Sequence, residues 1–230
     1  RNQGIELSVS ADVIKTKDLT WNVSVNHTYN KAKVIALDGT NENISGTAIN
    51  RVGERPNSIY LVRYAGVDPA NGDALYYKAD GKTTTNDYND AGTFVVGNPN
   101  PDWIAGLNNS VSWKGLELSV LFQGVFGNQI MNGAGGFMSA SFDWFDNQTK
   151  DQLARWQKPG DITNVPQLRL GYGNGIGASS RYVENGDYVR LKNITLAYNL
   201  ESKLLSRFKL RSARFYVTGV NLATITKYKG

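Results

Sequence analysis

From Trp21 to Tyr29 the chain alternates without interruption: Trp21, Val23, Val25, His27 and Tyr29 share one parity, while Asn22, Ser24, Asn26 and Thr28 share the other. Successive side chains of a strand point to opposite faces, whereas a helix would scatter both sets around its axis. The segment therefore reads as a strand with one apolar face and one face of small, polar residues. Upstream, Ile5, Leu7, Val9, Ala11 and Val13 alternate with Glu6, Ser8, Ser10 and Asp12. Only Lys15-Thr16-Lys17-Asp18 and their neighbours separate the two runs, which predicts a tight hairpin.

Two more pairs follow. Trp103, Ala105, Leu107, Val111 and Trp113 alternate with Ile104, Gly106, Asn108, Ser110 and Ser112. After Lys114-Gly115 come Leu116, Leu118, Val120, Phe122 and Phe126, with Leu121 and Val125 breaking the pattern on the polar parity. The third pair covers 187–199 and 213–222. In the first of these, Val189 and Leu191 lie on one parity and Ile194, Leu196 and Tyr198 on the other, which predicts a bulge near Lys192-Asn193.

The links between these six strands are very unequal. Those at 16–18 and 113–115 are a few residues and that at 201–212 is modest, but 33–102 and 127–186 are long. Loops of that length are uncommon in compact soluble domains. Short turns at one end and long loops at the other are the habit of outer-membrane barrels. Strand length agrees: Trp103 to Trp113 runs about 33 Å at ~3.3 Å per residue, and a tilt of ~45° reduces its rise to the ~25 Å apolar band of such barrels. Trp21, Trp103, Trp113, Tyr188 and Tyr198 are then candidates for the aromatic girdles at the two membrane surfaces. A soluble sandwich, whose inner faces alternate too, is the competing fold.

Composition removes other classes. The 230 residues are 40% hydrophobic and 20% charged, and no apolar run approaches the ~18–20 residues of a membrane helix. A barrel hides its apolar residues at alternate positions, so the mean hydropathy of −0.39 does not exclude one. Cysteine is absent, which removes disulfide scaffolds and thiolate metal sites. The net charge of +5 is scattered, with no basic run interleaved with aromatics, so nucleic acid is not an expected partner. The chain enters a strand almost at once and stops at Lys227-Tyr228-Lys229-Gly230, in what reads as a loop; the expectation is a fragment.

Candidate chemistry is sparse. His27, the one histidine, sits on the apolar parity between Val25 and Tyr29, a poor place for a base or a metal ligand. Asp68, Asn71, Asp73, Asp80, Asp87 and Asp90 lack the spacing of a calcium loop and read as turn formers. The aromatic stretch Phe142-Asp143-Trp144-Phe145-Asp146 offers ring faces beside carboxylates. Asp143, Trp144, Asp146 and Trp156 are the candidate substrate-contacting loop residues. Residues 147–157 predict a short helix with Leu153 and Trp156 on one face, ended by Pro159-Gly160. No cofactor is expected, and no enzymatic activity.

Several segments resemble a known family in its own order. Asp187-Tyr188-Val189-Arg190-Leu191-Lys192-Asn193-Ile194-Thr195-Leu196 resembles the "YLRLKNITLGY" strand of the SusC/RagA group of TonB-linked outer-membrane transporters. Gly97-Asn98-Pro99-Asn100-Pro101-Asp102-Trp103, Trp113-Lys114-Gly115, Phe122-Gln123-Gly124, Arg155-Trp156-Gln157-Lys158-Pro159-Gly160-Asp161 and Asn221-Leu222 through Lys227-Tyr228-Lys229-Gly230 match further segments. The resemblance implies the C-terminal part of an antiparallel transmembrane β-barrel of about 22 strands. The plug domain would lie before Arg1 and a closing strand after Gly230. It also implies a SusD-like surface lipoprotein over the long loops, a TonB complex acting through the plug, outer-membrane lipids around the wall, and an oligosaccharide or oligopeptide as substrate. Two alternatives stand beside it: a soluble or surface β-rich binding module such as an adhesin, and a barrel serving as a docking component of an envelope complex.

Overall fold

The computed structural model describes residues 1–139, 147–200 and 209–229. Strands β1 (Asn2–Lys15) and β2 (Leu19–Ala32) form the first hairpin. A long excursion then carries β3 (Glu42–Ser45), β4 (Ala48–Arg51), β5 (Ser58–Val62), β6 (Tyr64–Val67), β7 (Ala74–Tyr77), β8 (Thr84–Thr85) and β9 (Thr93–Gly97). The chain returns to the main sheet as β10 (Trp103–Trp113) and β11 (Leu116–Phe126). A second excursion holds β12 (Gln129–Met131) and β13 (Val183–Asn185), and β14 (Tyr188–Asn199) and β15 (Arg214–Thr226) complete the wall.

The wall is one six-stranded antiparallel sheet in the order β1-β2-β10-β11-β14-β15. Both excursions leave and rejoin it at the same end, because Tyr29, Trp103 and Phe126 stand opposite one another there. The other end carries the short connections. At one of them Lys114 and Gly115 both adopt positive φ (46° and 88°), the geometry of a two-residue turn whose twist matches that of its strands.

Register assigns each side chain to a face. Ile5, Tyr29, Trp103 and Phe126 form one row across the sheet; Val9, Val25, Leu107, Phe122 and Leu191 form another; Trp21, Val111, Leu118, Leu196 and Val217 a third. The opposite face carries rows such as Ser8, Asn26, Gly106, Gln123 and Arg190. It also holds Ile104, Leu121, Val125 and Val220, so it is polar but not uniformly so. The expected bulge is present: Lys192 is the extra residue between Leu191, opposite Phe122, and Asn193, opposite Leu121. A second bulge at Val13 corrects the alternation read in β1, since Ile14 takes the place opposite Trp21.

Among the described residues nothing covers the apolar face. Ile5 is 71%, Leu7 57%, Phe215 66% and Ile225 78% exposed. A sandwich would bury this face under a second sheet, and the described residues form no sheet packed against it. The buried apolar residues lie elsewhere: Ile49, Ile59, Leu61, Val62, Ala74, Tyr76, Trp156 and Tyr182 all belong to the excursions, and only Val125 and Ala197 to the wall. The long connections are therefore folded units, with a four-stranded sheet (β3-β4-β5-β9), a three-stranded sheet (β6-β7-β8) and the β12-β13 pair. Among the described residues no helix is long and apolar enough to cross a membrane.

The two faces predict opposite responses to substitution. Leu107→Arg, at mid-height on the apolar face, is expected to destabilise the full-length protein in a bilayer by about 2–4 kcal/mol. Ser110→Asn on the other face is expected to change it by no more than about 0.5 kcal/mol. Equilibrium unfolding from lipid vesicles measures both.

Candidate functional site

The two excursions are fastened to each other into one layer above the wall. Val62 and Ser179 form a parallel bridge, and the Tyr64 N–H donates to Ser180 Oγ at 3.0 Å. Asn174 is the central fastener: its Oδ1 accepts the Ala74 N–H at 2.8 Å, and its Nδ2 donates to the carbonyls of Gly72 (2.9 Å) and Gln167 (3.0 Å). Beside it, Arg169 pairs with Asp73 at 2.5 Å and donates to the Asn71 carbonyl at 3.2 Å. The phenols of Tyr64 and Tyr88 reach across to the carbonyls of Asn164 and Ala178 at 3.0 and 2.7 Å. Apart from the Arg169–Asp73 ion pair, each of these contacts engages a backbone N–H or carbonyl of the excursions.

Tyrosines form the core of the layer. Tyr76 packs edge-on against Tyr64 and Tyr88, with ring centroids 5.9 and 5.3 Å apart. Burial pushes the Tyr76 phenol up to about 12 and raises those of Tyr64 and Tyr182, moving all three further from ionisation than an ordinary phenol. Next to this core lies a cavity of about 910 Å³ lined by Asn132, Met138, Thr149, Arg181, Glu184 and Lys229 among others. Its charged side chains are held mainly by neutral hydrogen-bonding groups, with one ion pair between Lys229 and Asp151 at 3.4 Å. Glu184 accepts from Asn132 Nδ2 (2.8 Å) and the Lys229 N–H (2.7 Å), while Arg181 donates to the carbonyls of Gly175 and Ser139 at 3.0 and 2.9 Å.

Trp156 belongs to the fastening. It is 5% exposed, its indole N–H donates to the Pro69 carbonyl at 3.1 Å, and a Cβ added at Gly72 would come within 2.6 Å of its ring. Its ring therefore has no open face for a solute, which corrects its reading as a substrate contact. The helix expected over 147–157 is one short turn, Lys150–Ala154, with Leu153 exposed at 75%; Leu153 and Trp156 do not share a face. Asp143, Trp144 and Asp146 lie outside the described residues.

Of the girdle candidates, Trp103 marks the loop end of the apolar face, where its ring lies against Tyr29 and His27 with centroids 4.3 and 5.1 Å apart. Trp113, Leu116, Tyr198 and Phe215 make the matching row at the turn end, with Trp21 one row inward opposite Val111. Tyr188 departs from this set. It stands opposite Val125 and Thr226 on the other face, because the Lys192 bulge reverses parity along β14. Four of the residues read as turn formers in the first excursion do make turns: Asp68 accepts the Ala70 N–H, Asn71 Oδ1 the Asp73 N–H, Asp87 the Asn89 N–H, and Asp80 the N–H groups of Lys82 and Thr83, the first of which does most to hold its carboxyl below the usual range, whereas Asp73 and Asp90 pair with Arg169 and Lys78. Among the described residues no cluster of His, Asp and Glu is placed to hold a metal. Asn174, Arg169 and Gly72 were not legible as site residues, since their partners lie up to about a hundred positions away.

A wall with one bare apolar face, short turns at one end and a fastened loop layer at the other also describes known proteins. TonB-dependent receptor P3 of Formosa agariphila is 31% identical over the whole chain, and TonB-dependent receptor SusC of Bacteroides thetaiotaomicron is 26% identical over the same span. Solved structures of the RagAB peptide transporter and of the RagAB peptide importer in its open-open state cover the whole chain at 30% identity, with TM-scores of 0.83 and 0.85. The chain belongs to the SusC/RagA family of TonB-dependent receptors. It spans about a quarter of the length of these relatives: 24% of P3, 23% of SusC and 26% of the RagAB chain. No family model matches the sequence. Within this SusC/RagA member the six strands are a segment of barrel wall and the excursions are its loops.

The fastening predicts two contrasting substitutions. Trp156→Ala is expected to loosen the loop layer by about 3–5 kcal/mol, seen as faster amide exchange around Gly72 and Val165 with the wall unchanged. Ser179 is fully buried and its hydroxyl has no hydrogen-bond partner among the described residues. Ser179→Ala is expected to leave exchange unchanged or slower.

Proposed function

We propose that the chain is the C-terminal wall-and-loop portion of an outer-membrane importer that takes up oligosaccharides or oligopeptides without catalysing a reaction on them. Its plug and TonB-contacting segment lie upstream, and a SusD-like lipoprotein sits over the loops. The observation that carries this reading is the bare apolar face combined with a loop layer at one end only. Such a face is stable against lipid chains, and the aromatic rows at its two ends fix its height in the bilayer.

The parts divide the work. The opposite face borders a wet lumen, and sets small side chains such as Ser8, Asn26, Gly106, Ser110 and Thr195 beside charged ones such as Glu6, Glu117, Arg190 and Arg214. The fastened excursions give a lid a firm seat, because Asn174, Arg169 and Trp156 oppose their separation. Solute captured between seat and lid enters the lumen when TonB pulls the plug aside. The RagAB structures, which include a peptide importer in open-open and closed-closed states, lend this reading support on the peptide side, and SusC supports the broader family role.

Tagged full-length protein extracted from outer membranes tests the assembly, and uptake of labelled oligosaccharide and peptide mixtures tests the transport. The expected result is a stoichiometric lipoprotein partner, and TonB-dependent uptake of one solute class that is lost on deletion. Recovery in the soluble fraction, or uptake unchanged by the deletion, would refute the proposal.

A further inference from the structure

Along the paired strands of the wall, the apolar face carries a cluster of charge at its loop end. Among its paired residues the charged side chains are Lys31, opposite Gln3, and the Arg1–Lys33 pair, joined by the Lys33 N–H donating to the Arg1 carbonyl at 2.9 Å. Cross-strand pairing places Arg1, Gln3, Lys31 and Lys33 on the same face as Ile5, Tyr29 and Trp103. No acidic residue lies among the paired residues of that face in any of the six strands. The three cations are exposed, and none takes part in an ion pair between described residues.

Their height gives them meaning. Lys31 and Lys33 lie two and four residues beyond Tyr29, or about 5 and about 9 Å further along the barrel axis at ~3.3 Å per residue and ~45° tilt. Tyr29, Trp103 and His27 form the aromatic cluster at that end, and aromatic belts sit at the level of the lipid head groups. Cations just beyond such a belt, on the lipid-facing side, extend their apolar stems along the wall and hold their charges among the head groups.

We propose that Arg1, Lys31 and Lys33 form a docking patch for the phosphate groups of lipids in the leaflet on the loop side. This rests on the outer-membrane reading above and adds a specific lipid partner to it. Charge complementarity selects the partner: three unpaired cations on a face otherwise free of charge suit a phosphate, whose oxygens accept charge-assisted hydrogen bonds from several donors at once. At the turn end the paired residues of the same face carry no cation, and Lys114 lies beside the Trp113 ring at 5.7 Å, so the cluster of three is confined to the loop end.

The test uses the full-length protein in phosphatidylcholine vesicles doped with bisphosphorylated lipid A or with its dephosphorylated form, followed by detergent extraction and native mass spectrometry. The parent protein is expected to retain the phosphorylated glycolipid and not the dephosphorylated one. Lys31→Gln and Lys33→Gln are each expected to weaken retention about fivefold, with heat-modifiable migration on gels showing the barrel intact. Equal retention of both glycolipids, equal retention by the double variant, or competition by inorganic phosphate alone with no lipid retained would overturn the proposal while leaving the importer reading standing. A parent protein that never inserts into membranes would overturn both.

Discussion

The structure depends on a sheet face that its own chain does not cover. Ile5, Leu7, Val9, Val25, Leu107, Phe122, Leu196 and Phe215 form apolar rows across six strands, with only medium beyond them. In water each such side chain would forgo roughly 1.5–3 kcal/mol of burial, and a continuous patch of this extent marks an interaction surface. Against lipid the same face needs no cover. The unequal ends follow from that constraint, since polar loop backbone has to leave the apolar layer before it can turn at length.

Stability is consequently divided between two regions held by different physics. The wall is tied by its ladder of backbone hydrogen bonds and by the medium around it. The loop layer has a water-type core of its own, in which Ile49, Leu61, Tyr76, Trp156 and Tyr182 are buried and Asn174 joins the two excursions. Because these contacts oppose separation of the two excursions, the loop layer holds together as one unit.

The wall was legible in the sequence because its rules are local. Period-two alternation, the Lys114-Gly115 turn and the change of parity near Lys192 each lie within a dozen residues, and the structure reproduces them. What depended on distant partners was not legible. The short strands β3 to β9 lack enough residues to display a period, so their segment looked like loop. Trp156 read as a candidate substrate contact because nothing near it in sequence reveals Pro69 and Gly72, which enclose it. Tyr188 was assigned to the wrong face because parity cannot be carried across a bulge without its partner strand. Family membership, by contrast, was legible in ordered motifs, several of which fall at places the structure constrains: Asp102 pairs with Arg55 at 2.6 Å, and the Asp161 carboxylate accepts the N–H groups of Gln157 and Lys158.

The central claim is that the two faces of the wall meet different media. Single cysteines placed along β10 in an otherwise cysteine-free full-length protein test it directly, by their reaction with a charged, water-soluble maleimide in intact outer membranes. Labelling is predicted at 106, 108, 110 and 112 and blocked at 105, 107, 109 and 111. Uniform labelling along the strand, or the opposite alternation, would contradict the account.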